Sequence, residues 1–189
     1  MIWLSRSVVG AAELRAQQTV IERGFLGMGT EVKAFETELG DFIGGGVSVV
    51  CVNTGTAALH LALQALGLGR GDEVLVPSLT YVATFQAIAA CGATPIACDV
   101  REQDVLLDLS DAERRLTART RAVMPVHYAS FAGNLDAVYE FARRHGLRVV
   151  EDAAHAFGCE HRGRKIGSFG DVACFSFDGI KNITSGEGG

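Results

Sequence analysis

Short runs of apolar, often β-branched residues recur along this chain, separated by stretches with helical spacing, and that alternation restricts the fold more than any other feature. A strand that is apolar on both faces needs cover on both faces, which is the condition of a parallel sheet flanked by helices. The strand-like runs are Val47–Val52, Glu73–Pro77, Thr94–Val100, Ala122–Val126, Arg148–Asp152 and Val172–Phe177. Between them the spacing predicts helices. One covers 11–23 and is stopped by Gly24. Another covers 31–43, with Val32, Phe35, Leu39 and Phe42 on one face, and ends at Gly44-Gly45-Gly46. Thr56–Leu66 is apolar on nearly all sides and reads as buried. Thr84–Cys91 ends at Gly92. Ser110-Asp111-Ala112-Glu113 has the form of a capping box opening a helix to about Ala118. Asn134 caps a helix to His145 that stops at Gly146. The expected fold class is α/β, a mostly parallel doubly wound sheet. A helical segment over about 1–45 precedes an α/β core over about 46–189.

Composition narrows the function classes. With 189 residues, 48% of them hydrophobic, the chain can bury one sizeable core. A net charge of −5 offers no footprint for a nucleic-acid backbone. Arg143, Arg144 and His145 read as the solvated last turn of a helix. The five cysteines, at 51, 91, 98, 159 and 174, form no C-x-x-C pair, and most lie in apolar runs. That pattern favours a reducing, cytoplasmic setting over a disulfide framework. Arg6, Glu13 and Arg15 interrupt any signal-peptide core, and no apolar run is long enough to span a bilayer. The expectation is a cytoplasmic protein with neither nucleic acid nor membrane as partner.

In a doubly wound sheet, ligands bind beyond the carboxyl ends of the strands, so chemistry is expected at 53–57, 77–81, 127–131, 152–155 and 176–181. In Asn53-Thr54-Gly55-Thr56-Ala57, the helix N-terminus, the hydroxyls of Thr54 and Thr56, and the bare backbone at Gly55 can hold a phosphate. An ordinary threonine cap after a glycine turn is the competing reading. Tyr81, just past a strand, can stack on a planar ring or be a core aromatic. Glu151, Asp152 and His155 bring three ionisable groups to the end of a strand that should be buried. A buried carboxylate needs a strong partner such as a protonated pyridine, and Ala154 is small enough for a flat ring to lie against. The alternatives are a structural His–Asp hydrogen bond or a metal pair. His127 and His161, the other nearby candidates, lack metal-site spacing. Finally, Lys181 follows a strand end and precedes Gly186-Glu187-Gly188-Gly189. In a desolvated pocket it can be neutral and nucleophilic toward an aldehyde, and Ser176 can donate to a phosphate.

Taken together, four stretches resemble the DegT/DnrJ-type sugar aminotransferases, a branch of the aspartate-aminotransferase-like, fold type I enzymes that use pyridoxal 5'-phosphate (PLP). They are residues 53–59 (NTGTAAL), 71–84 (GDEVLVPSLTYVAT), 151–156 (EDAAHA) and 176–189 (SFDGIKNITSGEGG). Leu4-Ser5-Arg6 and Phe25-Leu26-Gly27-Met28-Gly29 are similar to the family's opening. The resemblance implies roles for the matching residues. Lys181 would carry PLP and shuttle a proton to and from the substrate carbon. Asp152 would pair with the pyridinium nitrogen. Tyr81 and Ala154 would line the two ring faces. His155, where many relatives have Gln, would meet the phenolic oxygen. Thr54, Gly55, Thr56 and Ser176 would bind the phosphate, and no metal is implied. It also implies transfer of an amino group, with L-glutamate as donor, to a keto group on a nucleotide-linked deoxy sugar, for amino-sugar or surface-polysaccharide synthesis.

Two features depart from the family pattern. The chain stops at Gly189, whereas relatives continue with a further strand and a smaller C-terminal domain. A homodimer or a separate C-terminal half is the expected partner, and an open sheet edge the expected consequence. His127-Tyr128-Ala129-Ser130-Phe131-Ala132-Gly133 replaces a small, polar turn, and Phe131 bears on substrate shape. Two other readings follow: a PLP-dependent sugar dehydratase, against which Lys181 argues, and a cofactor-binding interaction module without activity of its own.

Overall fold

Neighbouring residues on the central strands go to opposite cores. Leu75, Val123 and Val149 pack into one apolar cluster, whereas Val74, Val76, Ala122, Met124 and Val150 pack into another. That alternation is the two-residue period of a strand, with both faces covered. The computed structural model describes residues 6–189. The Leu4-Ser5 part of the opening motif therefore lies outside the described residues.

Five strands form a parallel sheet in the order β2-β1-β3-β4-β7. They are β1 (Glu73–Pro77), β2 (Thr94–Cys98), β3 (Thr120–Val123), β4 (Arg148–Asp152) and β7 (Val172–Cys174). Helices α3 (Gly55–Ala65) and α4 (Val82–Ala90) cover one face. Helices α5 (Leu109–Arg114) and α6 (Leu135–His145) cover the other. The chain runs outward from β1 to β2, then crosses back to β3, so the strand order reverses between β1 and β3. Ligand sites of such sheets lie at that reversal.

Two further helices precede the sheet. α1 (Ala11–Glu22) buries no residue. α2 (Thr30–Ile43) docks through a third cluster of Leu39, Ile43, Phe157 and Phe177. Its expected face is rotated: Leu39 and Ile43 are the buried pair, and Phe42 stays 47% exposed. The Phe42 ring stacks on Phe157 at 5.2 Å and lies beneath Lys165 Nζ. Phe35 meets Phe177 edge-on at 5.4 Å, so α2 props the segment that leads to Lys181.

Several expectations need correction. Val47–Val52 is extended but belongs to no strand, because a cavity of about 740 Å³ lies between it and β7. Its one rung is Val52, which exchanges both backbone hydrogen bonds with Gly189, at 2.9 and 3.0 Å. For the same reason α3 is not apolar-buried all round: Leu61 lines that cavity and is 48% exposed. α4 begins at Val82, two residues before the expected start. The strands β2, β3 and β7 each end earlier than their apolar runs, at Cys98, Val123 and Cys174.

Asp108, not Ser110, caps α5 by accepting the Ser110 N–H at 2.8 Å. That helix ends at Arg114, and buried Asp111 within it accepts from Arg114, Arg115 and the Asp99 N–H. The Arg115 bond, first among these, holds the Asp111 carboxyl down at about 2. A two-strand antiparallel hairpin, β5 (Glu160–His161) with β6 (Arg164–Lys165), carries too little periodicity to be foreseen. All five cysteines are free. Among the described residues, no helix is long and apolar enough to cross a membrane.

Candidate active site at the carboxyl ends of the strands

The end of β4 presents two adjacent buried carboxylates, and the strand's alternation sends them to opposite faces. Glu151, fully buried, turns toward α6. Its Oε2 lies 2.7 Å from His127 Nε2, and its Oε1 accepts the Tyr139 hydroxyl. Burial, and then the charge of Glu151, push the Tyr139 hydroxyl pKa far upward, so that O–H stays a donor. The structural histidine–carboxylate pair weighed from sequence therefore exists, but on Glu151 and His127 rather than on Asp152 and His155.

Asp152 turns toward α4. It is 5% exposed, and its carboxylate accepts the Thr84 hydroxyl at 2.7 Å on Oδ2 and the Ala154 N–H at 3.2 Å on Oδ1. Both donors are neutral. A buried carboxylate without a cation among its hydrogen-bond partners is costly, and a cationic N–H would offset that cost. Its backbone is fixed from β3's extension: the His127 N–H donates to Asp152 O at 3.0 Å, and the Asp152 N–H to Pro125 O at 2.9 Å.

Around this carboxylate the expected residues gather. Tyr81 follows β1 and stands at the N-cap of α4, and at 75% exposure it is not a core aromatic. Its carbonyl accepts the Thr84 N–H at 3.1 Å, so the Tyr81 backbone and the Asp152 carboxylate meet at one residue. The His155 imidazole pKa is lowered by burial first and by the Lys181 ammonium second, while the Asp152 carboxylate pulls the other way. One ring thus feels both the amine and the carboxylate that the sequence singled out.

Lys181 sits on a tied loop. Asp178 accepts the Ile180 N–H on Oδ1 and the Lys181 N–H on its carbonyl, both at 3.0 Å. The Asn182 amide donates to Phe157 O at 2.9 Å, and Phe177 and Ser185 close the loop's base.

At the start of α3, Thr54 is spent as the N-cap, accepting the Ala57 N–H at 3.0 Å. Thr56 stands exposed in the first turn. A Cβ built on Gly55 would meet Ser176 Cβ at 3.0 Å and Oγ at 3.3 Å. The helix N-terminus, rich in unpaired N–H groups, therefore lies directly against a buried hydroxyl, a cradle suited to a phosphate. The carboxylate, the amine and this cradle fit PLP chemically.

The loop after β3 frames the remaining side. Ala129 (φ 50°) and Ser130 (φ 69°) both adopt left-handed backbone, which costs energy in non-glycine residues. The Ser130 hydroxyl donates to His155 O, and the Tyr128 ring lies 6.3 Å from the imidazole. Phe131, 53% exposed, faces outward from this loop. Among the described residues, no group of three or more His, Cys, Asp or Glu is arranged to hold a metal. Sequence reasoning missed Thr84, Thr80 and Tyr139. A hydroxyl in the first turn of an apolar helix was the available signal for Thr84.

The chain is similar to known proteins in both sequence and fold. A family model described as the DegT/DnrJ/EryC1/StrS aminotransferase family matches residues 8–189. GDP-perosamine synthase of Caulobacter vibrioides is 49% identical over 162 residues, spanning 86% of this chain and 43% of that protein. DesV of S. venezuelae, solved in complex with a ketimine intermediate, is 44% identical with a TM-score of 0.90, covering 94% of this chain and 48% of its own. The putative sugar aminotransferase Spr1654 of Streptococcus pneumoniae, in its PLP form, is 30% identical with a TM-score of 0.95. That match covers 99% of this chain and 51% of the other. The chain thus spans about half the length of these relatives.

Proposed function

Because this chain belongs to the DegT/DnrJ/EryC1/StrS aminotransferase family, we propose that it forms the PLP-binding part of an enzyme that transfers an amino group, with L-glutamate as donor, to a keto group on a nucleotide-linked deoxy sugar. The observation that supports this reading is a buried carboxylate with only neutral donors, Asp152, at the same end of the parallel sheet as the Lys181 loop and the Gly55–Ser176 cradle.

When bound, PLP supplies an electron sink that lets an amino acid give up its nitrogen. The chain's own groups do the rest. Asp152 would hold a proton on the ring nitrogen. Tyr81 would cover one ring face, with Ala154 on the other and His155 at the phenolic oxygen. Gly55, Thr56 and Ser176 would bind the phosphate on the α3 N-terminus, with Thr54 fixing that terminus as its cap. Lys181 would hold the cofactor covalently and then, released, move a proton to and from the reacting carbon. Because these groups come from separate strand ends, the sheet sets their spacing before any ligand arrives.

The reading is tested by borohydride reduction in the presence of PLP, followed by peptide mass mapping. A phosphopyridoxyl group on Lys181, lost in Lys181→Ala, is expected. A folded protein that takes up no PLP refutes the assignment. Amino transfer from L-glutamate to keto-sugar nucleotides then tests the reaction itself.

A further inference from the structure

The Asp152 carboxylate is not held by backbone alone. Thr84, with no exposed surface, places its Oγ1 at 2.7 Å from Asp152 Oδ2, across 68 residues of chain. Thr80 Oγ1 lies 2.6 Å from the same Thr84 oxygen. The Tyr81 carbonyl is 3.1 Å from Thr84 Oγ1, farther than Asp152 Oδ2, and as a neutral oxygen it is the weaker acceptor. A hydroxyl has one proton to give. An ionised carboxylate only accepts, so the Thr84 proton must point at Asp152, and Thr80 then donates to Thr84.

We infer that Thr80 and Thr84 form a directed hydroxyl relay, Thr80 to Thr84 to Asp152, which holds the Asp152 carboxylate in one orientation. Thr84 is on this account a positioning residue for the cofactor's ring nitrogen, and Thr80 sets the direction of its hydrogen bond. The relay also couples the two clamps on the ring, since Thr84 is bonded at once to the Asp152 side chain and the Tyr81 backbone.

This inference rests on the PLP reading above, and the test separates the two. Thr84→Val keeps the shape and removes the hydroxyl, Thr84→Ser restores it, and Thr80→Val removes only the second link. PLP affinity is measured by titration, the pH dependence of the absorbance of lysine-bound PLP is recorded, and circular dichroism checks the fold. Thr84→Val is expected to bind PLP about tenfold more weakly, the size of one hydrogen bond to a charged group. Its absorbance profile should shift with pH, and Thr84→Ser should recover both properties. Thr80→Val should give a smaller change in the same direction. If wild type labels at Lys181 but a folded Thr84→Val matches it in affinity and pH profile, the relay is overturned while the PLP reading stands. Should Thr84→Val not fold, unchanged behaviour in Thr80→Val overturns the relay instead. Failure of wild type to bind PLP removes both.

Discussion

Glu151 and Asp152 are neighbours of the same chemistry that the fold treats in opposite ways. Glu151 receives a histidine and a phenol, whereas Asp152 receives a threonine hydroxyl and a backbone N–H. The first is a closed structural brace; the second leaves an anion in want of a cation. His155 reports on the second site. Its folded pKa lies below the ordinary 6.5, because burial and Lys181 both disfavour its protonation. The unfolded chain therefore takes up that proton first as pH falls. The stability His155 contributes is complete above 6.5 and drains away as pH drops through 6.5 toward the lower folded value. Thermal melts between neutral pH and about pH 5 should show a smaller loss for His155→Gln than for wild type. Equal losses in the two proteins would show that the imidazole is not the titrating group.

Elements differ in how their ends are fixed. α6 follows its sequence signals closely: Asn134 Oδ1 accepts the Ala137 N–H, Gly146 takes φ 65°, and the last turn carries Arg143, Arg144 and His145. α5 does not, because Asp108 competes with Ser110 for the cap and wins by accepting the Ser110 N–H itself. Asp108→Ala should accordingly cost about 1 kcal/mol by urea denaturation, and Ser110→Ala far less. The reverse ranking would restore the capping box. At the site, short elements matter more than long ones. The loop holding Lys181 and the strained turn at Ala129 and Ser130 are fixed by individual hydrogen bonds rather than by ladders.

Across the whole molecule, protection should follow the sheet. β1 is bonded on both sides, by β2 and by β3, and sits between the two main apolar clusters. Ser48, Val49 and Val50, by contrast, have no backbone N–H partner among the described residues, and Val50 is 73% exposed. Hydrogen exchange followed by mass spectrometry should find β1, β3 and β4 slow and residues 48–50 exchanging at near-unfolded rates. Slow exchange at 48–50 would mean that another strand covers that edge in solution.

Local chemistry was enough to specify much of this protein. Apolar runs between capped helices specify a parallel sheet covered on both faces, an arrangement that buries Val74, Leu75 and Val76 together. The residue types at the strand ends specify where to look for chemistry. What sequence could not give is decided by distance in space. Period-two alternation shows that Glu151 and Asp152 diverge, but only the packed helices show that one meets Tyr139 and the other Thr84. Likewise, the β-branched run at 47–52 has strand propensity, yet a strand exists only where a neighbour offers its hydrogen bonds, and along 48–50 no described residue does.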